Sequence, residues 1–532
     1  MQSDPTSGEA SGFRGADGAP HPIAAEAAHP TNTHPSDGAR SGAARGEGND
    51  VGHASVDQDT VECDVLVIGG GPAGSTAATL LARRGWRVLC LEKARHPRFH
   101  IGESLLPMNL PILERLGVLD AVAAIGVRKT GADFPKPAMS ADHADGATNV
   151  FRFARALYPS PDHAFQVRRD DFDALLFANA RAAGADARDG VVVVGVTFGA
   201  DERPFEAQAR DADGRTFTVR MRYTIDASGR DTVLGSRLKT KRKSSRHQSA
   251  ALFSHYRGVE RRPGEDAGNI TIERFAHGWV WLIPLRDDVM SIGAVCTPEY
   301  LKQRQSDGAE FLERTLHAIP TVQSRMQTAE RVAPVHATGN YSYRNSRMCG
   351  PGWAMVGDAY AFIDPIFSSG VYLGMHGAER AADMVDAALR APACEAQRQR
   401  ALRKELDRGL AEFSWFIYRF TSPVMRQLFA KPRNALRVEQ AVISMLAGDV
   451  YAHPGVRWRL RVFRLIYAVT ALTMAPAALR DAWRRRHGGA RFEGAGFEGD
   501  TLHADPGAVV SVHAAAGGQD AVKSPARPLE HV

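Results

Sequence analysis

Cysteine is scarce in this chain, and the five that occur (Cys63, Cys90, Cys296, Cys349 and Cys394) form no Cys-x-x-Cys pair. Scattered single thiols argue against a metal site and against a disulfide framework, and they fit a reducing cytoplasm. Long hydrophobic runs are missing as well. No apolar segment follows a basic start, which argues against an ordinary secretory signal. An uncharged run at Leu465 to Leu479, flanked by arginines, is shorter than the roughly 20 residues a spanning helix needs. Neither sign of charge dominates: 66 basic against 60 acidic side chains leave a net charge of +6, which gives no ground for a nucleic-acid partner. Residues 1 to 60 contain a single aromatic, Phe13, among Gly, Ala, Ser, Asp, Pro and His. Such a stretch cannot bury enough apolar surface to offset chain entropy, so it is expected to be a disordered tail, as is 488 to 532.

The segment between the tails opens with a short apolar run, Asp64-Val-Leu-Val-Ile68, a glycine turn and an Ala/Leu-rich helical stretch, then a second strand over Arg87 to Glu92. That order predicts a strand-turn-helix-strand crossover of a parallel sheet. Its turn, Gly69-Gly-Gly71-Pro-Ala-Gly74, has the spacing that lets a dinucleotide pyrophosphate meet a helix N-terminus. Gly69 permits the tight turn, Gly71 the approach of the phosphates, and Gly74 the close packing of helix on strand. Glu92 closes the second strand where a carboxylate accepts hydrogen bonds from a ribose. The motif does not choose between NAD and FAD. Further strands are expected over Val191 to Val196 and Arg215 to Ile225, and helices from about 375 to 487.

Two later segments, Thr224-Ile-Asp226-Ala-Ser-Gly229-Arg230 and Trp353-Ala-Met-Val-Gly357-Asp358-Ala359, resemble the second and third flavin signatures of the para-hydroxybenzoate-hydroxylase-like superfamily. Gln166-Val-Arg-Arg169-Asp-Asp-Phe172-Asp173 resembles that superfamily's arginine-bearing helix. The resemblance implies FAD, with Asp358 at the ribityl or pyrophosphate region and Arg169 along the cofactor.

Gly278-Trp279-Val-Trp281-Leu-Ile283-Pro284 matches the Trp-x-Trp-x-Ile-Pro fingerprint of flavin-dependent halogenases, and Phe362-Ile-Asp-Pro365-Ile-Phe-Ser368-Ser369-Gly370 matches their Phe-x-x-Pro-x-x-Ser-x-Gly segment. Two tryptophans flanking one residue also suit a core strand that points both rings to one face. The resemblance implies hypohalous acid formed from flavin hydroperoxide and a halide, chloride or bromide, with O2 as oxidant. It implies that Trp279, Trp281, Ile283 and Pro284 separate flavin from substrate, and that Ser369 and Gly370 hold the halide at a helix N-terminus beside Pro365. Lys129, in Val127-Arg-Lys129-Thr-Gly-Ala132, resembles the family's lysine that holds or activates hypohalous acid; Phe99-His-Ile-Gly102-Glu103-Ser104-Leu-Leu-Pro107 before it resembles the phenol and pyrrole members. In tryptophan halogenases a glutamate stands where this chain has Phe367, so free tryptophan is not the expected substrate. Phe416-Ile-Tyr-Arg-Phe420, Met425-Arg-Gln-Leu-Phe429 and Ala447-Gly-Asp-Val-Tyr451 resemble halogenase-like proteins associated with aryl-polyene pigments, which implies a phenol, free or carrier-protein-bound.

The expected fold is α/β: a Rossmann-type FAD-binding domain (about 61–135, 160–235 and 340–390), an inserted mixed β-sheet substrate domain (about 136–159 and 236–339) and a helical C-terminal region over 391–487. No second dinucleotide motif follows the first, and the halogenase resemblance implies FADH2 from a separate flavin reductase. An NADPH-dependent aromatic monooxygenase, a flavin-dependent double-bond reductase and a non-catalytic component of a pigment-assembly complex stay open. The Arg457 to Arg486 segment is expected to form a packed helix, with a membrane-surface association as the alternative, and the oligomeric state stays open. Pro476 is expected to disturb the end of that segment's helix.

Overall fold

The computed structural model describes residues 60–135, 148–158, 160–305, 307–430, 432, 434–451 and 453–487. Apart from Thr60, both expected tails lie outside the described residues, as do 136–147 of the expected substrate wall.

Val65–Ile68 and Val88–Glu92 are buried at every position, the pattern of central strands covered on both faces. They lie at the middle of a six-stranded sheet whose order runs Cys349–Gly350, Trp353–Met355, Tyr223–Asp226, Val65–Ile68, Val88–Glu92 and Asp186–Asp189. All neighbours in it are parallel except the outermost Cys349–Gly350 pair. Helices Pro72–Ala82, Arg169–Ala182 and Ser369–Arg390 pack beside it. Segments far apart in sequence therefore build one dinucleotide-binding frame. The predicted strand over Arg215 to Ile225 is corrected: it breaks at Met221–Arg222, with Thr216–Arg220 in a small four-stranded sheet and Tyr223–Asp226 in the parallel one. The Met221 and Arg222 amides turn aside to Phe205 and Asp64 carbonyls, which ends the first ladder and starts the second.

A second, nine-stranded mixed sheet holds the paired tryptophans. Its central strands are Lys241–Arg257, Val289–Cys296, Gly278–Pro284 and Ile270–Phe275, all antiparallel, and Gly131–Pro135 adds to it in parallel. Gly131–Pro135, the 340–345 end of His336–Asn345 and Ala361–Phe362, which fall within the expected FAD segments, pair into this sheet. Alternation divides its side chains. Val280, Leu282 and Ile292 face a separate core with Phe311 and Leu316 of helix Gly308–His317, while Trp279, Trp281 and Ile283 face the main core.

Helices Glu395–Ile417, Pro423–Ala430, Val438–Leu446 and Pro454–His487 follow. The expectation for Pro476 is not met, because the last helix runs through it to His487. Proline there removes the donor to the Leu472 carbonyl, and Leu472 is 72% exposed, so the helix gives up that bond on a solvent-facing side, where it costs least. No described helix is long and apolar enough to cross a membrane.

Candidate functional site

The glycine turn is built as its three roles require. Gly69 has φ +102°, and a Cβ on Gly74 would lie 1.8 Å from the Gly69 carbonyl oxygen, so this glycine sets how closely the helix meets the turn. A Cβ on Gly71 would meet only Arg98 Nη2, at 3.5 Å. The space above Gly71 is thus open on the side where the helix begins. Gly71 caps helix Pro72–Ala82 without a side-chain hydrogen bond, which leaves first-turn amides free for a phosphate. Glu92 is buried, and its Oε2 accepts from the Gly70 amide at 2.7 Å while Oε1 accepts from Ala94 at 3.0 Å. It pins the turn.

Arg169 sits at the start of its helix and is 6% exposed. Its Nε and Nη2 bind Asp173 at 2.8 and 2.9 Å, and Nη1 donates to the Ile101 carbonyl at 2.8 Å. The guanidinium is therefore a clamp between this helix and the 99–104 loop. Arg98, which the sequence reading missed, reaches Asp173 at 3.2 Å and Glu92 at 3.4 Å and borders Gly71. Asp358 follows Gly357, whose φ is +57°. Burial pushes its carboxyl up to about 6, opposed by Arg230 and Arg169. No described side chain bonds that carboxylate, which leaves it available to ribityl hydroxyls. Ala73, Gly357 and Gly374 meet at these positions: Cβ atoms built on Gly357 and Gly374 would lie 3.6 and 3.5 Å from that of Ala73. Open space at Gly71, uncapped amides and an unbonded, half-buried carboxylate fit FAD.

Gly278–Pro284 places Trp279 and Trp281 on one face, each 5% exposed, with ring centroids 5.7 Å apart. Trp281 Nε1 donates to Ser291 Oγ at 3.2 Å. A Cβ on Gly293 would lie 2.2 Å from the Trp281 ring, so Gly293 supplies the space the indole occupies. Ile283 and Pro284 are buried further along the same strand.

Ser369 and Gly370 open the 22-residue helix Ser369–Arg390 behind Ser368, which has φ +56°. The Ser368 cap makes no side-chain hydrogen bond, and Ser369 is fully buried with its Oγ unpartnered. Nothing lies within 4 Å of a Cβ built on Gly370, and Pro365 is exposed at the entrance to this turn. Uncapped amides and an unpartnered hydroxyl thus stand together at this helix start.

Lys129 ends strand Val127–Lys129 and is 1% exposed. Its Nζ donates to Ser104 Oγ at 2.8 Å and to the Leu105 carbonyl at 2.9 Å, and lies 5.4 Å from the Phe153 ring centroid. No described carboxylate pairs with it, and burial alone pulls its pKa down to about 7. The structure brings Gly69, Gly71, Gly74, Glu92 and Arg169 into one frame, but Lys129 makes no direct contact with Ser369, Gly370 or the tryptophans.

A family model described as an FAD binding domain matches residues 62–401. A 1H-pyrrole-2-carbonyl-[peptidyl-carrier protein] brominase of Pseudoalteromonas luteoviolacea is 34% identical over 340 residues, 61% of this chain and 78% of that protein. The chain belongs to the flavin-dependent halogenase family. As a member, it is a flavoprotein oxidoreductase with FAD as cofactor and halide and O2 as co-reactants. A tryptophan 2-halogenase of Chondromyces crocatus is 37% identical over 327 residues, and the match spans 60% of each chain. A solved flavoprotein/dehydrogenase structure from Cytophaga hutchinsonii has a TM-score of 0.71 at 26% identity, covering 77% of this chain and 99% of that one.

Sequence reasoning also missed several contacts of this halogenase-family site. Ser104 anchors Lys129, Gly293 and Ser291 seat Trp281, and Glu103 pairs with His255 at 2.9 Å beside the 99–104 loop. Gly102-Glu103-Ser104 was singled out only as a likeness; the contacts come from residues 25 to 152 positions away.

Proposed function

We propose that this protein halogenates an electron-rich, phenol-like aromatic, free or carrier-tethered, with FADH2 delivered by a separate flavin reductase. The observation that carries this is Lys129: a buried amine with no carboxylate partner and a pKa near neutrality. Such a group is neutral for much of the time at physiological pH, so it can accept an electrophilic halogen or, when protonated, hydrogen-bond to hypohalous acid. Bound reduced FAD, with halide and O2, supplies the oxidising equivalent. The Ser369–Gly370 corner holds the halide, Trp279 and Trp281 keep the organic substrate from the flavin, and Lys129 directs the halogen to the ring. The brominase named above acts on a carrier-bound pyrrole, which supports the tethered alternative. The likeness to a tryptophan 2-halogenase favours an indole as a second reading, against which Phe367 stands in place of a glutamate.

The test is a reductase-coupled assay with phenols, tryptophan and carrier-bound aryl thioesters in chloride or bromide, read by product mass. Halide-dependent product from wild type and none from Lys129→Ala, with FAD content unchanged, is the expected result. NADPH oxidation by the protein alone with hydroxylated product would replace the proposal by the monooxygenase reading. We also propose a cytoplasmic location at the membrane surface. Trp458, Leu465, Val469 and Leu472 are exposed along one side of helix Pro454–His487, which carries eight arginines and one aspartate. Failure to float with anionic vesicles would refute the membrane part.

A further inference from the structure

Two guanidinium groups share Asp173 beside the dinucleotide frame, and their donors are used differently. Arg169 is closed: Nε and Nη2 bond the two Asp173 oxygens, Nη1 donates to the Ile101 carbonyl, and the residue is 6% exposed. Arg98 is more open, with 17% of its side chain exposed. Its Nη1 lies 3.2 Å from Asp173 Oδ2 and its Nε 3.4 Å from Glu92 Oε1. Nη2 has no partner among the described residues, and it is the atom that a Cβ on Gly71 would meet, at 3.5 Å.

The surroundings of that nitrogen suit a phosphate. Ser75 N to Gly71 O, at 2.9 Å, is the first bond of helix Pro72–Ala82, so the Ala73 and Gly74 amides have no carbonyl partner inside the helix. No acidic residue stands in the first turn to compete with an anion. An oxygen packed on the bare Cα of Gly71 occupies the neighbourhood of the missing Cβ, about a hydrogen bond's length from Nη2. Neither carboxylate belongs to Arg98 alone. Asp173 is held bidentate by Arg169, and Glu92 accepts from the Gly70 and Ala94 amides. Arg98 is thus fixed on two sides, only partly neutralised, and left with a donor facing the open side of the turn. A planar fork in that condition matches a phosphate oxygen.

We propose that Arg98, rather than Arg169, is the arginine that binds the FAD pyrophosphate, its Nη2 donating to a phosphate oxygen over Gly71 while Asp173 and Glu92 hold the other two nitrogens. Arg169 then acts as the brace that keeps Asp173 and the 99–104 loop in position. The ligand class that Arg98 selects is a nucleoside diphosphate. The assignment concerns the cofactor and does not depend on halogenation, so product formation plays no part in its test.

The full chain, freed of flavin, is titrated with FAD by flavin fluorescence, and ADP and adenosine are measured as competitors of FAD. Arg98→Met should weaken FAD and ADP about ten- to hundredfold, the loss expected for one charge-assisted hydrogen bond. Adenosine carries no phosphate, so its affinity should not change. The FAD-free Tm should also hold, because Asp173 keeps Arg169 and Glu92 keeps its two amide bonds. A purely structural role at the turn would instead weaken ADP and adenosine alike and lower Tm. Wild-type affinity for FAD and ADP in Arg98→Met, or an equal loss for adenosine, overturns the proposal. If Arg98→Met does not fold, Arg98→Gln, which retains a donor for Asp173, is read by the same two comparisons. Failure of wild type to bind FAD would sink the cofactor itself, whereas FAD binding indifferent to Arg98 sinks this assignment alone.

Discussion

Replacing Lys129 by methionine removes an amine from a site with no compensating carboxylate while keeping side-chain length and apolar contact with Phe153. The lysine's pKa falls from 10.5 to about 7, and burial is the cause. Because the folded value is below the unfolded one, the unfolded chain binds more protons between those values, so wild-type stability rises with pH across that window. The charged amine costs the fold most at and below pH 7, on the order of 5 kcal/mol for a fall from 10.5 to about 7. Integrating the linkage from pH 7 to pH 9 returns roughly 2 kcal/mol of that to wild type. Lys129→Met has no such titration, so its advantage over wild type should shrink by roughly 2 kcal/mol over the same range. Urea unfolding of both proteins at fixed FAD, stepped through pH 6 to 9, measures this gap, because groups common to both cancel. The variant should be at least as stable as wild type near pH 7, bind FAD normally and give no halogenated product. A gap independent of pH would refute the buried, unpaired lysine; wild-type-like product from Lys129→Met would remove it from the chemistry.

Gly71→Ala and Gly74→Ala should separate cofactor contact from packing. The first leaves the FAD-free Tm unchanged, since its Cβ meets only Arg98 Nη2 at 3.5 Å, but weakens FAD binding; the second, 1.8 Å from the Gly69 oxygen, should cost at least about 3 kcal/mol by denaturation. Asp173→Ala leaves the buried Arg169 guanidinium without a carboxylate and takes one of two from Arg98, and should destabilise the protein by about 3–5 kcal/mol in urea titrations, with a matching loss of FAD. Gly293→Ala forces a methyl 2.2 Å from the Trp281 ring, so tryptophan fluorescence should change and halogenated product per FADH2 consumed should fall, with peroxide released instead.

The dinucleotide frame was legible because its signals are local. The glycine spacing, the all-buried strands Val65–Ile68 and Val88–Glu92, and the helix between them depend on neighbours within about 30 residues. The same holds for the alternation that puts Trp279 and Trp281 on one face. Strand ends and strand partners were not legible: the break at Met221–Arg222 and the pairing of Gly131–Pro135 with Ile270–Phe275 depend on where distant carbonyls lie. The sequence by itself determined an FAD-type α/β protein with a lysine, a tryptophan pair and a helix opening of the halogenase kind. Only the tertiary structure decided that Lys129 is buried without a carboxylate, that Glu92 pins the Gly70 amide, and that Arg274 stands unpaired against Phe420. Charge state and desolvation belong to the surroundings of a group, and folding assembles those surroundings from chain segments tens to hundreds of residues apart.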